Sequence, residues 1–373
     1  MKLVRASDSD DQALKQFYAE SALHGPVDVK VERAGKFFDQ YRLQSEDYHT
    51  YLFKDESERE RVLGLATVLF REGLLKDTYQ RIGYCTDLRI APTRQAIVEW
   101  TEHFSPLLEQ LVQEKGCHYF FSAIAQYQGR AYNALVRPRA VRRNIPRYYQ
   151  LGRFEIVNIL GRIPYAPSPL KTLVIRRADA TADFEKLAAY LKRKTSDRLL
   201  AYNYTAELLN ERVRTWPGLQ DRNFILAEDR RGNIVGCVAP WDASSAQSFK
   251  VDQYNGFSST LRTALNMFSL SGFCSRLPAA GRPLDFQYLT HFHADNPDIF
   301  YSLLYEAYEN ARPKRFLVYS HFVIDPLTRP PKSFAAATLP FSLYTILSPK
   351  TDLPEFLRMP KVRQSPDFEL ALL

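Results

Sequence analysis

The sequence predicts an α/β fold, more closely an α+β mixed sheet, built from two tandem copies of one unit, and three observations predict it. The first is an internal echo: Leu3-Val4-Arg5-Ala6-Ser7 returns as Ile175-Arg176-Arg177-Ala178-Asp179, and Val62-Leu63-Gly64-Leu65-Ala66 as Ile234-Val235-Gly236-Cys237-Val238. Gly236 follows Gly64 by 172 positions, as Ala178 follows Ala6, and a register kept over that length of chain points to duplication. The second is Ile163-Pro164-Tyr165-Ala166-Pro167-Ser168-Pro169 between the copies, a proline-rich stretch that continues neither a helix nor a central strand. The third is a common order of strand-like and helical patterns in both halves. These place one unit at residues 1–162, a linker at 163–171 and a second unit at 172–373.

Each copy opens on a short apolar strand, Leu3–Arg5 or Leu173–Arg176. An amphipathic helix follows, carrying Leu14, Phe17, Tyr18 and Ala22 in the first and Phe184, Leu187, Ala188 and Leu191 in the second. Next comes a hairpin: Thr50–Lys54 returning through Val62–Phe70, and Phe224–Glu228 returning through Ile234–Ala239 around the turn Asp229-Arg230-Arg231-Gly232-Asn233. A longer strand, Ile82–Ile90 or Phe286–His293, precedes a second helix. In the first half this helix bears Ile97, Trp100, Phe104, Leu107 and Leu111, and Ser105-Pro106 either caps a new helix or kinks the old one. In the second half Asn296-Pro297-Asp298 caps a helix carrying Phe300, Leu303, Leu304 and Ala307. A further strand (His118–Ala125; Arg315–Phe322) and a terminal apolar segment (Phe154–Leu160; Phe341–Leu347) close each copy. The second copy also holds an insertion at about 250–283, partly helical by its Leu261, Ala264, Leu265 and Phe268.

Composition narrows the function. With 45% hydrophobic and 25% charged residues the chain is globular in character, and no apolar stretch approaches the roughly 20 residues of a membrane span. Cys85, Cys117, Cys237 and Cys274 are far apart, form no C-x-x-C pair and share no cluster with histidine. No metal is expected, and reduced thiols fit a cytoplasmic protein. None of the 15 glycines lies within three residues of another, so neither G-x-G-x-x-G nor the P-loop pattern is present, which argues against a dinucleotide-binding dehydrogenase or a P-loop NTPase. The net charge is +8, and Arg137, Arg139, Arg142, Arg143, Arg147 and Arg153 form a tract with no acidic residue inside it. Guanidinium groups pair with phosphates, so the tract suits a coenzyme phosphate, an acidic carrier protein, RNA or anionic lipid, and Tyr148 and Tyr149 could stack on bases. The alternative is a solvated connection that keeps the protein soluble.

The element order, strand–helix–hairpin–long strand–helix–strand–helix–strand, resembles the GNAT superfamily of N-acyltransferases. Its duplication resembles the tandem layout of mycothiol synthase and protein N-myristoyltransferase. The residues that carry the resemblance are Asp87-Leu88-Arg89-Ile90-Ala91-Pro92-Thr93-Arg94-Gln95, similar to that superfamily's fourth strand and the start of its phosphate loop. The resemblance implies that Leu88, Arg89 and Ile90 pair with a donor's pantetheine arm and that Arg94 and Gln95 open the loop over its phosphates. The loop's two small residues are here Val98 and Trp100, which would crowd a pyrophosphate. Superfamily members without this loop include transferases that take acyl-carrier protein or aminoacyl-tRNA as donor, and both are polyanions for which Arg142 and Arg143 would be partners. Gln128-Gly129-Arg130-Ala131-Tyr132-Asn133-Ala134-Leu135 is similar to the superfamily's helix that ends in a thiolate-protonating tyrosine; Tyr132 is the substitute candidate.

The implied chemistry needs a base for the acceptor ammonium and an acid for the departing thiolate. Asp87 is the first-half candidate, against the alternative of a strand-end carboxylate satisfied by Arg89 or a backbone amide. In the second half His291, His293 and Asp295 alternate on one strand face, so one histidine could be a base; packed imidazoles are the alternative. Thr290-His291-Phe292-His293-Ala294-Asp295 is also similar to a metallo-β-lactamase motif, but Asn296-Pro297 stands where a ligand is needed. The expectation is thus an N-acyltransferase moving an acyl group from acyl-CoA or an acyl-carrier protein to the amine of a small molecule or lipid precursor, the first half holding the donor. Two rivals stay open: an aminoacyl-tRNA-dependent transferase, and a non-catalytic binding protein on the same fold.

Overall fold

A computed structural model describes residues 2–55, 61–91, 93–127, 136, 145–312, 314–349, 351–358 and 365–372. Among the described residues twelve strands form one mixed sheet: β1 (Lys2–Arg5), β3 (Tyr48–Lys54), β4 (Val62–Leu75), β5 (Thr78–Ile90), β6 (Tyr119–Ala125), β7 (Arg147–Arg162), β8 (Val174–Arg177), β9 (Ile225–Glu228), β10 (Ile234–Trp241), β12 (Phe286–Ala294), β13 (Phe316–Phe322) and β14 (Phe334–Leu347). A separate two-stranded ribbon pairs β2 (Val27–Arg33) with β11 (Gln247–Tyr254).

The sheet runs β1-β3-β4-β5-β6-β14-β7-β13-β12-β10-β9-β8, an order that reads the same from both ends once each strand is matched with its counterpart. The two copies therefore lie back to back in one sheet. They also trade their last strands. β14 pairs with β6 from Phe341↔Ala125 to Ile346↔Phe120, and β7 pairs with β13 from Leu317↔Ile159 to Phe322↔Phe154. Sequence pattern places these segments at the ends of their own copies, but alternation fixes which face a side chain takes and not which neighbour the strand chooses. The exchange lets β7 and β14 pair with each other from Phe334↔Arg162 to Leu347↔Arg147, so neither half keeps an open inner edge.

Helices Arg94–Lys115 and Pro297–Ala311 cover equivalent positions. Trp100, Phe104, Leu107, Leu108 and Leu111 pack on Val68, Phe70 and Phe120, and Phe300, Leu303, Leu304, Ala307 and Tyr308 pack on Val238, Leu317 and Tyr319. Each such buried side chain contributes roughly 1.5–3 kcal/mol. The first helix runs through Pro106 unbroken. Gly236 is needed where it stands: a Cβ there would lie 2.7 Å from Ile299 Cγ2 and 2.8 Å from Leu303 Cδ1. No helix among the described residues is long and apolar enough to cross a membrane.

Candidate active site

The two parallel strand pairs are short. β5 and β6 are joined only at Ile82↔Tyr119, Gly83↔Phe120 and Tyr84↔Phe121, and β12 and β13 only at Phe286↔Phe316, Gln287↔Leu317 and Tyr288↔Val318. Beyond Tyr84 and Tyr288 the strands part. Just past each parting the antiparallel neighbour shows a register shift, between Leu65 and Thr67 on β4 and between Cys237 and Ala239 on β10. The residues at these bulges, Asp87 (φ 55°) and His291 (φ 51°), adopt left-handed backbone that a side-chain-bearing residue takes at about 1–3 kcal/mol. Asp87 and His291 are therefore counterparts, each held in a strained bulge by its partners.

Asp87 is fully engaged. One carboxylate oxygen accepts the Tyr18 hydroxyl; the other accepts Arg33 at 2.5 Å and the Tyr41 hydroxyl at 2.8 Å. The Arg33 guanidinium lies 4.8, 4.2 and 4.6 Å from the ring centres of Tyr18, Phe37 and Tyr41. Burial pushes the Asp87 carboxyl up, but Arg33 and Arg89 together with the two hydroxyls outweigh it and hold the carboxyl below its ordinary range. Arg89 stacks 3.5 Å from the Tyr18 ring centre and donates to the Ser21 carbonyl at 2.8 Å. Leu88 and Ile90 are half-buried against the cluster of Trp100 and Phe104.

The second half repeats the plan with other chemistry. Arg212, buried among Tyr202, Tyr204 and Trp216 with ring distances of 4.4, 5.6 and 5.1 Å, meets His291 Nε2 at 2.5 Å. Burial first, then Arg212 and His293, drive the His291 imidazole well below its ordinary value, so it is neutral and accepts from the guanidinium. The backbone N–H of His291 donates to Glu369 Oε2 at 3.1 Å. Burial pushes the Glu369 carboxyl up to about 7 despite the opposing charge of Arg212. Asp367 lies 3.6 Å from His293 Nε2 and accepts the Tyr204 hydroxyl at 3.3 Å. His293 is lowered to about 4, by burial against the pull of Asp367 and with help from Arg198 and Lys194. His291, His293, Asp367 and Glu369 line a cavity of about 60 Å³ in the parting of β12 from β13. The Phe368 ring, between Asp367 and Glu369, contacts Tyr84 of β5 at 6.1 Å and Phe322 of β13 at 6.4 Å between centres, so this segment bridges the two partings.

The structure thus gathers His291 and His293 in one cavity and sets Asp87, Leu88, Arg89 and Ile90 at the equivalent place in the other half. Tyr132, Arg142 and Arg143 lie outside the described residues. Arg94 and Gln95 open the first-half helix, and their side chains are likewise outside the description. Both helix starts cap themselves: Thr93 Oγ1 accepts the Ala96 N–H, and Asn296 Oδ1 accepts those of Asp298 and Ile299. Trp100 is buried in the core. Asp295 pairs with Lys194 at 3.1 Å. No group of three metal-ligating side chains is present among the described residues, and all four cysteines are free. Arg33, Arg212, Asp367 and Glu369 were not legible as site residues. The one signal was Asp367-Phe368-Glu369-Leu370, in which acids alternate with apolar residues.

No family model matches the sequence, and no curated protein matches it. Solved structures do. A GCN5-related N-acetyltransferase from Sphaerobacter thermophilus superposes with a TM-score of 0.52 at 12% identity, over 94% of this chain and 97% of that one. N-myristoyltransferase from Saccharomyces cerevisiae with bound myristoyl-CoA superposes with a TM-score of 0.55 at 10% identity, over 92% of this chain and 82% of that one. The chain has a tandem GNAT-like fold. At these identities the likeness is one of fold, and this GNAT-like chain shares with both structures an arrangement that spans nearly its whole length.

Proposed function

We propose that the chain is an N-acyltransferase that moves an acyl group from a thioester, acyl-CoA or an acyl-carrier protein, to the amine of a small molecule or lipid precursor. The observation that carries this reading is Glu369: a carboxyl brought to about 7, bonded to the bulge of one parted strand pair and linked through Phe368 to the other. In the reaction the acceptor ammonium loses a proton, its nitrogen bonds to the thioester carbonyl carbon, the carbon–sulfur bond breaks and the thiolate takes a proton. A carboxyl poised near neutrality can accept that first proton at physiological pH. A cavity of about 60 Å³ has room for an amine and its hydrating water, so the acceptor's amine end goes there, beside neutral His293 and the Asp367 carboxylate. The donor arm runs along Leu88–Ile90 in the first half. Asp87, whose carboxyl Arg33, Tyr18 and Tyr41 hold below its ordinary range, stiffens that strand rather than serving as the base. The myristoyl-CoA in the yeast structure is a thioester of the class proposed here.

Thioester consumption tests this. Purified protein is mixed with acyl-CoA or acyl-carrier thioesters and a panel of primary amines, and free thiol and acylated amine are followed. Glu369→Gln is expected to lower kcat by about 10²–10⁴ and to remove the limb of the pH profile near 7. Thioester left intact with every donor and amine would refute the reading. Steeply salt-dependent tRNA binding with aminoacyl transfer would move the activity to aminoacyl-tRNA.

A further inference from the structure

From Gln253 to Leu284 the chain has no acidic residue and three arginines. Within this insertion the helix Phe257–Phe268 turns Leu265 and Leu261 to the core, and its Asn266 amide bonds reciprocally with Leu277 at 3.0 and 2.8 Å. The flank next to these core residues is unusual. Phe257, Met267 and Phe268 are 77%, 70% and 65% exposed, and Leu270 in the following turn is 90% exposed. At about 100° of rotation per residue the three helix side chains fall within about 100° of one another. A water-facing helix surface normally carries charge there.

Beside this helix lies a cavity of about 320 Å³ walled by Arg262, Arg276, Arg282 and Lys314. Its one acid, Asp285, is already bonded to Arg315 Nε at 2.7 Å. Arg276, Arg282 and Lys314 have no acidic partner among the described residues. Asp285 and Lys314 precede β12 and β13, so the cavity sits at the opposite end of these strands from the parting that holds Glu369.

We propose that the insertion docks on a bilayer surface containing anionic lipid, with Phe257, Met267, Phe268 and Leu270 entering the interfacial layer and the basic cavity receiving a lipid phosphate. Charge selects this occupant. A second copy meeting the first across a two-fold axis would bring the same cations face to face. Nucleic acid would satisfy the arginines, and Phe257 and Phe268 offer rings to stack on, but Met267 and Leu270, exposed as fully as the rings, are aliphatic surface that bases leave in water. Arg262, the helix's one cation, turns from the apolar side chains into the cavity wall, so the cations lie beside the helix rather than along its apolar flank; each that reaches an anionic surface adds about 1 kcal/mol, roughly fivefold in partitioning.

The test is co-sedimentation of the full chain with vesicles of phosphatidylcholine alone and of phosphatidylcholine mixed with phosphatidylglycerol, at low and high salt. Binding to the mixed vesicles, weakened by salt, is expected. Arg276→Gln with Arg282→Gln should weaken it about 25-fold, at about 1 kcal/mol per cation. Phe257→Ser with Met267→Ser and Phe268→Ser should abolish it, while the melting temperature, a check on folding, stays near that of the parent. Absence of binding to mixed vesicles at low salt overturns the proposal, as does equal binding by parent and variants. A complex with single-stranded RNA, or self-association lost in the serine variant, overturns it too when vesicles are not bound. The inference is independent of the proposed acyl transfer.

Discussion

At the bulge of β5 a buried arginine in an aromatic cage meets an aspartate; at the equivalent bulge of β12 a buried arginine in an aromatic cage meets a histidine. In the first half the counter-charge stands on the bulge itself, and two tyrosine hydroxyls complete its bonding. In the second half the bulge residue is neutral, and the acid near the arginine, Glu369, comes from the distant segment 365–372 and is too buried to ionise fully at neutral pH. The same geometry therefore yields a closed ion pair in one copy and a titratable carboxyl in the other. The two halves present equivalent positions, and the identity of one residue at each decides whether a proton is available there.

The comparison is broken most forcefully through the arginines. Arg33→Met leaves Asp87 buried without its cation and should destabilise by about 3–5 kcal/mol in urea unfolding, while Arg33→Met with Asp87→Leu should recover most of the loss. Arg212→Met faces a neutral imidazole and a carboxyl that can protonate, so about 1–3 kcal/mol is expected. Equal losses from the two single variants would show that the halves do not differ as described.

The Glu369 carboxyl sharpens the contrast through pH. Its folded value is raised from 4.5 to about 7, so its contribution to stability is fully present below about pH 4.5 and is lost as pH rises through 7, by about 3 kcal/mol in all. Glu369→Gln stays neutral throughout, so its stability relative to the parent should climb between pH 5 and pH 8. His293 works in the other direction: lowered from 6.5 to about 4, it adds stability above pH 6.5 that is lost as pH falls through 4. A parent–variant difference that is flat with pH would mean Glu369 does not titrate in this range.

Smallest is the glycine pair. Gly236→Ala puts a methyl 2.7 Å from Ile299 Cγ2 and should cost about 2 kcal/mol; Gly64→Ala meets the Arg89 carbonyl at 3.2 Å and Phe53 Cβ at 3.3 Å and should cost about 1 kcal/mol. Thermal melts of the two variants would reverse in order if the helix over β10 were loosely packed.

Much of this was legible in the chain. Gly64 and Gly236, found by their common register, sit opposite Ile90 and Ala294, so the echo marked structurally equivalent strands. Trp100, expected to crowd the helix start, is instead packed in the core. Asp87 and His291 were read as chemistry-bearing residues on matching strands, but their left-handed backbone leaves no mark in a local pattern. Arg33 and Arg212 were missed because the cages that bury them close only when helix, loop and strand meet. Glu369 was missed because its burial comes from a strand more than seventy residues away in sequence.

The crossed ends of the sheet have one more consequence, for synthesis on the ribosome. Until Phe334–Leu347 has been made, β6 has no neighbour on its inner side, so the first half waits with an unpaired edge while the second is being translated. Pairing so far apart along the chain closes slowly. A nascent chain halted after Arg162 should therefore be protease-sensitive around Tyr119–Ala125, and supplying the second half separately should protect it.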